Sequence, residues 1–175
     1  SSFSGLDVHF VQGPYKLRSP FGNLDDEGYT QACVSDLIQL IDMTDASGFA
    51  ALIAEPIQGV GGFATPPDGF FGAMHKVLDA NGILFISDEV QTGWGRTGDH
   101  FWGYQAHGIV PDILTFAKGV GNGITLAGCV ARADVMNAID RTSFTTFGGN
   151  PLSVAAGRAT LKYVLDHDLQ SNAAA

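Results

Sequence analysis

The sequence predicts an α/β fold, a mostly parallel sheet flanked by helices, and three features of the chain carry that reading. Short apolar runs alternate with segments in which apolar residues recur at i, i+3, i+4 and i+7, the spacing of one buried helical face. The short runs are apolar on both sides, as strands covered by helices on two faces must be. Three of them run straight into charge, at Glu55, Asp88 and Lys118, and in parallel sheets of this kind ligands bind beyond the carboxyl ends of the strands.

Taken in chain order, Val8, Phe10 and Val11 suggest an edge strand, followed by a loop rich in turn residues, Gly13, Pro14, Ser19, Pro20, Gly22 and Asn23. Val34, Leu37, Ile38 and Ile41 then set a helix over about 28–43. The apolar run 50–57 is broken at Glu55-Pro56 and reads as a buried strand. Phe70, Ala73, Met74 and Val77 repeat the helical spacing, and Asn81-Gly82 offers the left-handed residue that ends a helix. A second strand over 83–87 leads into Asp88 and Glu89, and a glycine-rich, aromatic loop fills 93–104. Strands over 113–117 and 126–131 flank Gly119, Gly121 and Gly123. A short helix over 133–139 and a polar stretch over 142–149 precede Asn150-Pro151, where Asn caps a helix and Pro occupies its first position without losing a bond. That helix should run to about Asp166. No linker or repeat divides the chain, so a single domain, or one large piece of a longer one, is expected.

Composition removes several function classes. Hydrophobic residues make up 45% of the 175 and charged residues 15%, which excludes disorder. A net charge of −9 is the wrong sign for a phosphate backbone, so nucleic acid is not an expected partner. No apolar run is long enough to span a bilayer, and no membrane partner is expected. Cys33 and Cys129 stand far apart without a neighbouring thiol, which suggests neither a disulfide framework nor a thiolate metal site. A reducing, cytoplasmic setting follows as the expectation. The 23 glycines, most of them between Gly59 and Gly128, mark that region as the place where backbone turns tightly or approaches a ligand.

The chemistry-bearing candidates lie at the strand ends. Of four lysines, Lys16, Lys76, Lys118 and Lys162, only Lys118 follows an apolar strand and precedes a glycine. An amine at the edge of a low-dielectric layer can act as a nucleophile toward carbonyls. The same position also suits a lysine that reaches solvent or forms a plain ion pair with Asp88. Asp88 and Glu89 point opposite ways if the strand continues, so only one of them can face a given site. Phosphate and metal motifs fail on inspection. Gly119, Gly121 and Gly123 are followed by Ile124 where a dinucleotide fingerprint needs glycine, there is no G-x-x-x-x-G-K-[ST], no G-x-S-x-G, and no pair among the five histidines at i, i+4.

Four segments taken together, Glu55-Pro-Ile-Gln-Gly59, Asp88-Glu-Val-Gln-Thr-Gly-Trp-Gly-Arg-Thr-Gly98, Pro111-Asp-Ile-Leu-Thr-Phe-Ala-Lys-Gly119 and Thr146-Phe-Gly-Gly-Asn-Pro151, closely resemble the class III pyridoxal-phosphate aminotransferases in order and spacing. The resemblance extends over about 50–166. It implies the large domain of a fold-type I enzyme, with pyridoxal 5'-phosphate as cofactor. It implies that Lys118 bonds covalently to the cofactor aldehyde and later moves a proton. It also implies that Asp88 faces the pyridine nitrogen, that Val90 packs on the ring and that Gln91 donates to its phenolic oxygen. Thr146 would reach the cofactor phosphate of a partner subunit, hence a homodimer, and Glu55 would hold Gln91 or serve as an ordinary turn carboxylate.

An amino donor and a 2-oxo acid are the implied substrates. Family members that use 2-oxoglutarate often carry an acid where this chain has Val60. That departure, with Gly98-Asp-His-Phe-Trp-Gly-Tyr-Gln105, resembles the alanine:glyoxylate branch and favours pyruvate or glyoxylate as acceptor. Complete members are more than twice as long, so 1–175 is expected to be the central part of the large domain, without the N-terminal segment and the small C-terminal domain. An aminomutase or racemase on the same scaffold, or a non-catalytic α/β module, are the alternatives.

Overall fold

The computed structural model of the chain describes residues 7–142 and 144–175. Helix α1 (Asp26–Thr44) starts where the Asp25 carboxylate accepts the Gly28 N–H at 2.8 Å, with Asp26 and Glu27 in the first turn facing the positive end of the helix dipole. It buries Tyr29, Cys33, Val34, Leu37 and Ile41. Strand β1 (Ala51–Ala54) follows, then α2 (Phe70–Ala80), which turns Phe70, Phe71, Met74 and Leu78 inward. Gly82, at φ +66°, ends that helix as the sequence predicts.

Strand β2 (Leu84–Asp88) carries Phe85 into the same layer, so α1, α2 and one face of the sheet share a single core. Each Phe or Leu removed from water there contributes about 1.5–3 kcal/mol, which makes this layer the main source of cohesion in the first half of the chain.

Strands β3 (Ile113–Phe116) and β4 (Gly128–Ala131) complete a four-stranded sheet in sequential order. β1 pairs with β2 and β2 with β3 in parallel, while β4 returns antiparallel to β3. The sheet is therefore mostly parallel, as expected, with a reversed last strand. Between β2 and β3 the connection is not an α-helix but a long loop ending in a 3-10 turn, Gly103–His107. Helix α3 (Ala133–Asn137) is shorter than the sequence suggests. In α4 (Pro151–Asp166) Asn150 accepts the Ser153 N–H at 3.0 Å and Pro151 opens the first turn, as predicted.

Two elements differ from expectation. The edge strand around Val8–Val11 is absent: Asp7–Pro14 has no strand pairing, and side chains bind two backbone groups just after the expected strand. The Gln12 N–H donates to the Asp36 carboxylate at 2.9 Å, and the Tyr29 hydroxyl donates to the Gly13 carbonyl at 2.6 Å. The part of that reading on residues 1–6 lies outside the described residues. Conversely, α5 (Leu169–Ala174) appears where no apolar period announces it. It packs on the loop after β2, where a Cβ at Gly95 would come within 2.9 Å of Gln170 and one at Gly98 within 2.7 Å of Ala174.

Candidate functional site

The register of the parallel strands brings three charged residues to one rim. Ala54 of β1 pairs with Ser87 of β2, so Glu55 and Asp88 leave adjacent strands at the same level. Asp88 pairs with Thr115 of β3, and Lys118 follows two residues after that strand ends. The strand ends that carry these three residues therefore lie along one edge of the sheet.

Lys118 opens a 3-10 turn, Lys118–Gly121, with φ +46°, a conformation unusual for a residue with a side chain. Such strain is often found at functional positions. Lys118 is exposed, which matches the reading of a lysine that reaches solvent rather than that of an amine at the edge of a buried layer. Among the described residues no ion pair joins it to Asp88. The plain ion-pair reading therefore does not describe it.

Asp88 is half-buried, and its Oδ1 accepts the Val90 N–H at 3.1 Å, which leaves Oδ2 without a hydrogen-bond partner among the described residues. Gln91 lies against the loop after β1, where a Cβ at Gly59 would come within 2.8 Å of its Cγ and Nε2. That loop is shaped by Glu55, whose Oε2 accepts the Gly59 N–H at 3.0 Å. Glu55 thus supports Gln91 through the backbone of Gly59 and makes no direct hydrogen bond to it among the described residues. Thr146 is exposed in a polar turn between Phe144 and Phe147, which are 87% and 80% exposed. The structure does not bring it to the rim residues through any recorded contact.

One residue that sequence reasoning passed over is prominent. Glu89 is fully buried, and its carboxylate accepts from the Ser87 and Thr92 hydroxyls and from the backbone N–H groups of Gly103 and Tyr104. The signal was available in the alternation at the end of β2, where Asp88 facing the rim turns Glu89 inward. At the opposite rim Asp112, also buried, accepts the Phe85 N–H at 2.7 Å and pairs with Arg132, a clamp on β2, β3 and β4 away from the site.

Above β3, Trp94, Phe101 and Trp102 gather on Phe116 with ring centroids 4.8–6.2 Å apart. A primary amine, a carboxylate with an open oxygen, an amide and close-packed glycines at one sheet edge form a donor set that fits an aldehyde cofactor with a ring nitrogen and a phenolic oxygen. Among the described residues no cluster of side chains is arranged to hold a metal ion.

The comparisons with known proteins agree with that chemistry. A family profile described as "Aminotransferase class-III" matches residues 4–175. The alanine–glyoxylate aminotransferase 2 homolog 2 of Arabidopsis thaliana, described as mitochondrial, is 43% identical over 168 residues, 95% of this chain and 34% of its own length. A leucine/methionine racemase of Thermococcus litoralis is 36% identical over 95% of the chain and 38% of its own length. An amine transaminase from an uncultivated Pseudomonas species, solved in a PLP-bound form, superposes with a TM-score of 0.88 at 34% identity, over 98% of this chain and 41% of that one. The chain thus spans between a quarter and about a third of the length of the curated relatives it matches first. On the sequence match and the shared fold together, the chain belongs to the class-III aminotransferase family.

Proposed function

We propose that the chain forms the central part of the cofactor-binding large domain of a pyridoxal-phosphate enzyme that transfers an amino group between an amino acid or amine and a 2-oxo acid. The observation that carries this is the rim: Asp88, Gln91 and Lys118 leave neighbouring strands at one edge, in a chain matched by the class-III profile. What pyridoxal phosphate supplies when bound is an electron-poor ring that takes up the charge left at the substrate carbon.

Lys118 would hold the cofactor through its Nζ and, once freed, carry the proton at that atom. Asp88 would keep a proton on the ring nitrogen through its open oxygen. Val90 would pack one side of the ring, Gln91 would donate from its amide to the phenolic oxygen, and Glu55 would keep Gln91 seated through Gly59. Thr146 would bind the cofactor phosphate of a partner subunit, and the exposed Phe144 and Phe147 beside it supply apolar surface for such a homodimer.

Borohydride reduction of the holoenzyme followed by peptide mass spectrometry should place a pyridoxyl group on Lys118. Lys118→Ala should abolish the visible absorbance and lower kcat by at least about 10³-fold. An adduct on another lysine, or a coloured and active variant, rejects the assignment.

Racemisation is a second reading, favoured by the similarity to the Thermococcus racemase. Incubation with one amino acid and no oxo acid separates the two, since only a racemase then turns over. Pyruvate or glyoxylate is the acceptor favoured by Val60 and by the likeness to the Arabidopsis relative; efficient use of 2-oxoglutarate with neither of these would reject that choice. A cytoplasmic site is supported by composition alone. The mitochondrial relative makes that organelle the alternative, and cell fractionation decides.

A further inference from the structure

We propose that Glu89 is a positioning residue whose buried carboxylate fastens the Gly103–His107 turn to the end of β2 and thereby orients Asp88 and Gln91 toward the rim. The inference rests on the cofactor reading above and adds to it a residue that touches neither cofactor nor substrate. Burying an ionised carboxylate is costly unless its lone pairs are filled. Here Oε1 accepts from Ser87 Oγ at 3.0 Å and Tyr104 N at 2.8 Å, and Oε2 accepts from Thr92 Oγ1 at 2.5 Å and Gly103 N at 2.7 Å.

All four partners donate, so the arrangement fits an acceptor-only carboxylate. No cation pairs with Glu89 among the described residues. Charge-assisted hydrogen bonds alone hold it.

The backbone of Glu89 is fixed as firmly as its side chain. Its N–H donates to the Thr115 carbonyl of β3 at 2.9 Å, and its carbonyl accepts from Gly93 at 2.9 Å. The turn it holds is wedged between the two loops that carry site residues. A Cβ at Gly103 would meet Thr92 Cβ at 2.6 Å and Pro56 Cβ at 3.0 Å. The carboxylate therefore sets the path of the segment 88–92 and, through Gly103, its spacing from Glu55-Pro56. Asp88 and Gln91 are the outward-reaching members of that segment, one held by the Val90 N–H and the other seated on Gly59.

Three variants of the holoenzyme test this. Glu89→Gln keeps the shape but turns an NH2 group toward either the Gly103 or the Tyr104 N–H, neither of which can reverse its role. We expect cofactor dissociation to rise about tenfold, kcat to fall at least about tenfold with KM for the amino donor within about twofold, and the visible absorbance maximum to shift. Thr92→Val removes one donor at constant shape and should move the same three readings less, while Thr92→Ser restores them to within about twofold of wild type.

Wild-type cofactor affinity and spectrum in Glu89→Gln and Thr92→Val, even with a lowered Tm, overturn the proposal and leave Glu89 a fold-stabilising group. If Glu89→Gln does not fold, the Thr92 pair decides, and equality of Val and Ser overturns it. A wild-type protein that takes up no pyridoxal phosphate overturns the proposed function and this role with it, whereas uptake by the wild type with unaltered variants overturns this role alone.

Discussion

Helices α2 and α4 differ in what they bury. With 11 residues α2 places Phe70, Phe71, Met74 and Leu78 in the core, whereas α4, with 16, buries only Ser153 and Gly157. Leu152, Tyr163 and Leu165 of α4 remain 70%, 56% and 60% exposed. The same contrast runs through the two halves of the chain: every member of the buried cluster lies between Tyr29 and Phe85, and the residues after Phe116 add none to it.

The first half closes its own hydrophobic layer. The second is held by close backbone contacts, such as Gly157 against Leu126 and Val120, and leaves apolar side chains free for another surface. The rim of Glu55, Asp88 and Lys118 sits where the two halves meet, with the closed hydrophobic layer on one side and the more exposed second half on the other. Sites that need both precision and access are commonly built in this way.

That contrast can be broken by experiment. Phe71→Ala should cost about 3–5 kcal/mol in urea denaturation, because a packed aromatic leaves a cavity. Leu152→Ala on α4 should cost within about 0.5 kcal/mol. Equal costs would mean that α4 packs as tightly as α2.

Thiol labelling sharpens the same point. Cys129 on β4 is exposed, while Cys33 on α1 is fully buried and burial raises its thiol pKa, so the reactive thiolate is scarce. In the native protein one thiol should react quickly and the second only at the rate of unfolding. Prompt labelling of both would show that the first half is not closed.

The smallest effect is expected in pH dependence. His107, edge-on to Phe71, has its pKa lowered from 6.5 chiefly by burial, against the opposing pull of the Pro56 carbonyl and the Glu89 and Asp68 charges. Because the unfolded chain then takes up the proton first, this contribution is complete above about pH 6.5. It is lost as pH falls toward the lower folded value. Melting between pH 7.5 and 5.5 should show a drop of a few degrees in wild type and a smaller one in His107→Asn. Parallel slopes would remove His107 from the coupling between the first-half core and the loop above it.

Much of the architecture was legible because its signals are local. The apolar spacing of α1 and α2, the Asn81-Gly82 stop and the Asn150-Pro151 start each depend on residues within a turn or two. The edge strand at Val8–Val11 was misread because alternation marks an extended segment whether or not a partner strand exists; here Asp36 and Tyr29 bind the backbone just after it, at Gln12 and Gly13. Helix α5 escaped notice because its sequence, Leu-Gln-Ser-Asn-Ala-Ala, has no apolar face to detect. The strand ends that carry Glu55, Asp88 and Lys118 could be read, and a solvent-reaching Lys118 was one of the readings its position allowed; the positive φ of the turn at Lys118 could not be read, since it is a matter of backbone conformation.

The identity of the rim residues and the strands that carry them follow from the sequence, since apolar runs, caps and motifs are written along the chain, whereas the spatial order of the strands is seen only in the fold. Only the folded chain shows that Glu89, one residue from Asp88, lies inside a cage of four donors assembled from residues 87–104. The physical reason is that a hydrogen bond to a buried carboxylate depends on which backbone groups arrive beside it. Their arrival is set by packing between distant segments and not by neighbours in sequence.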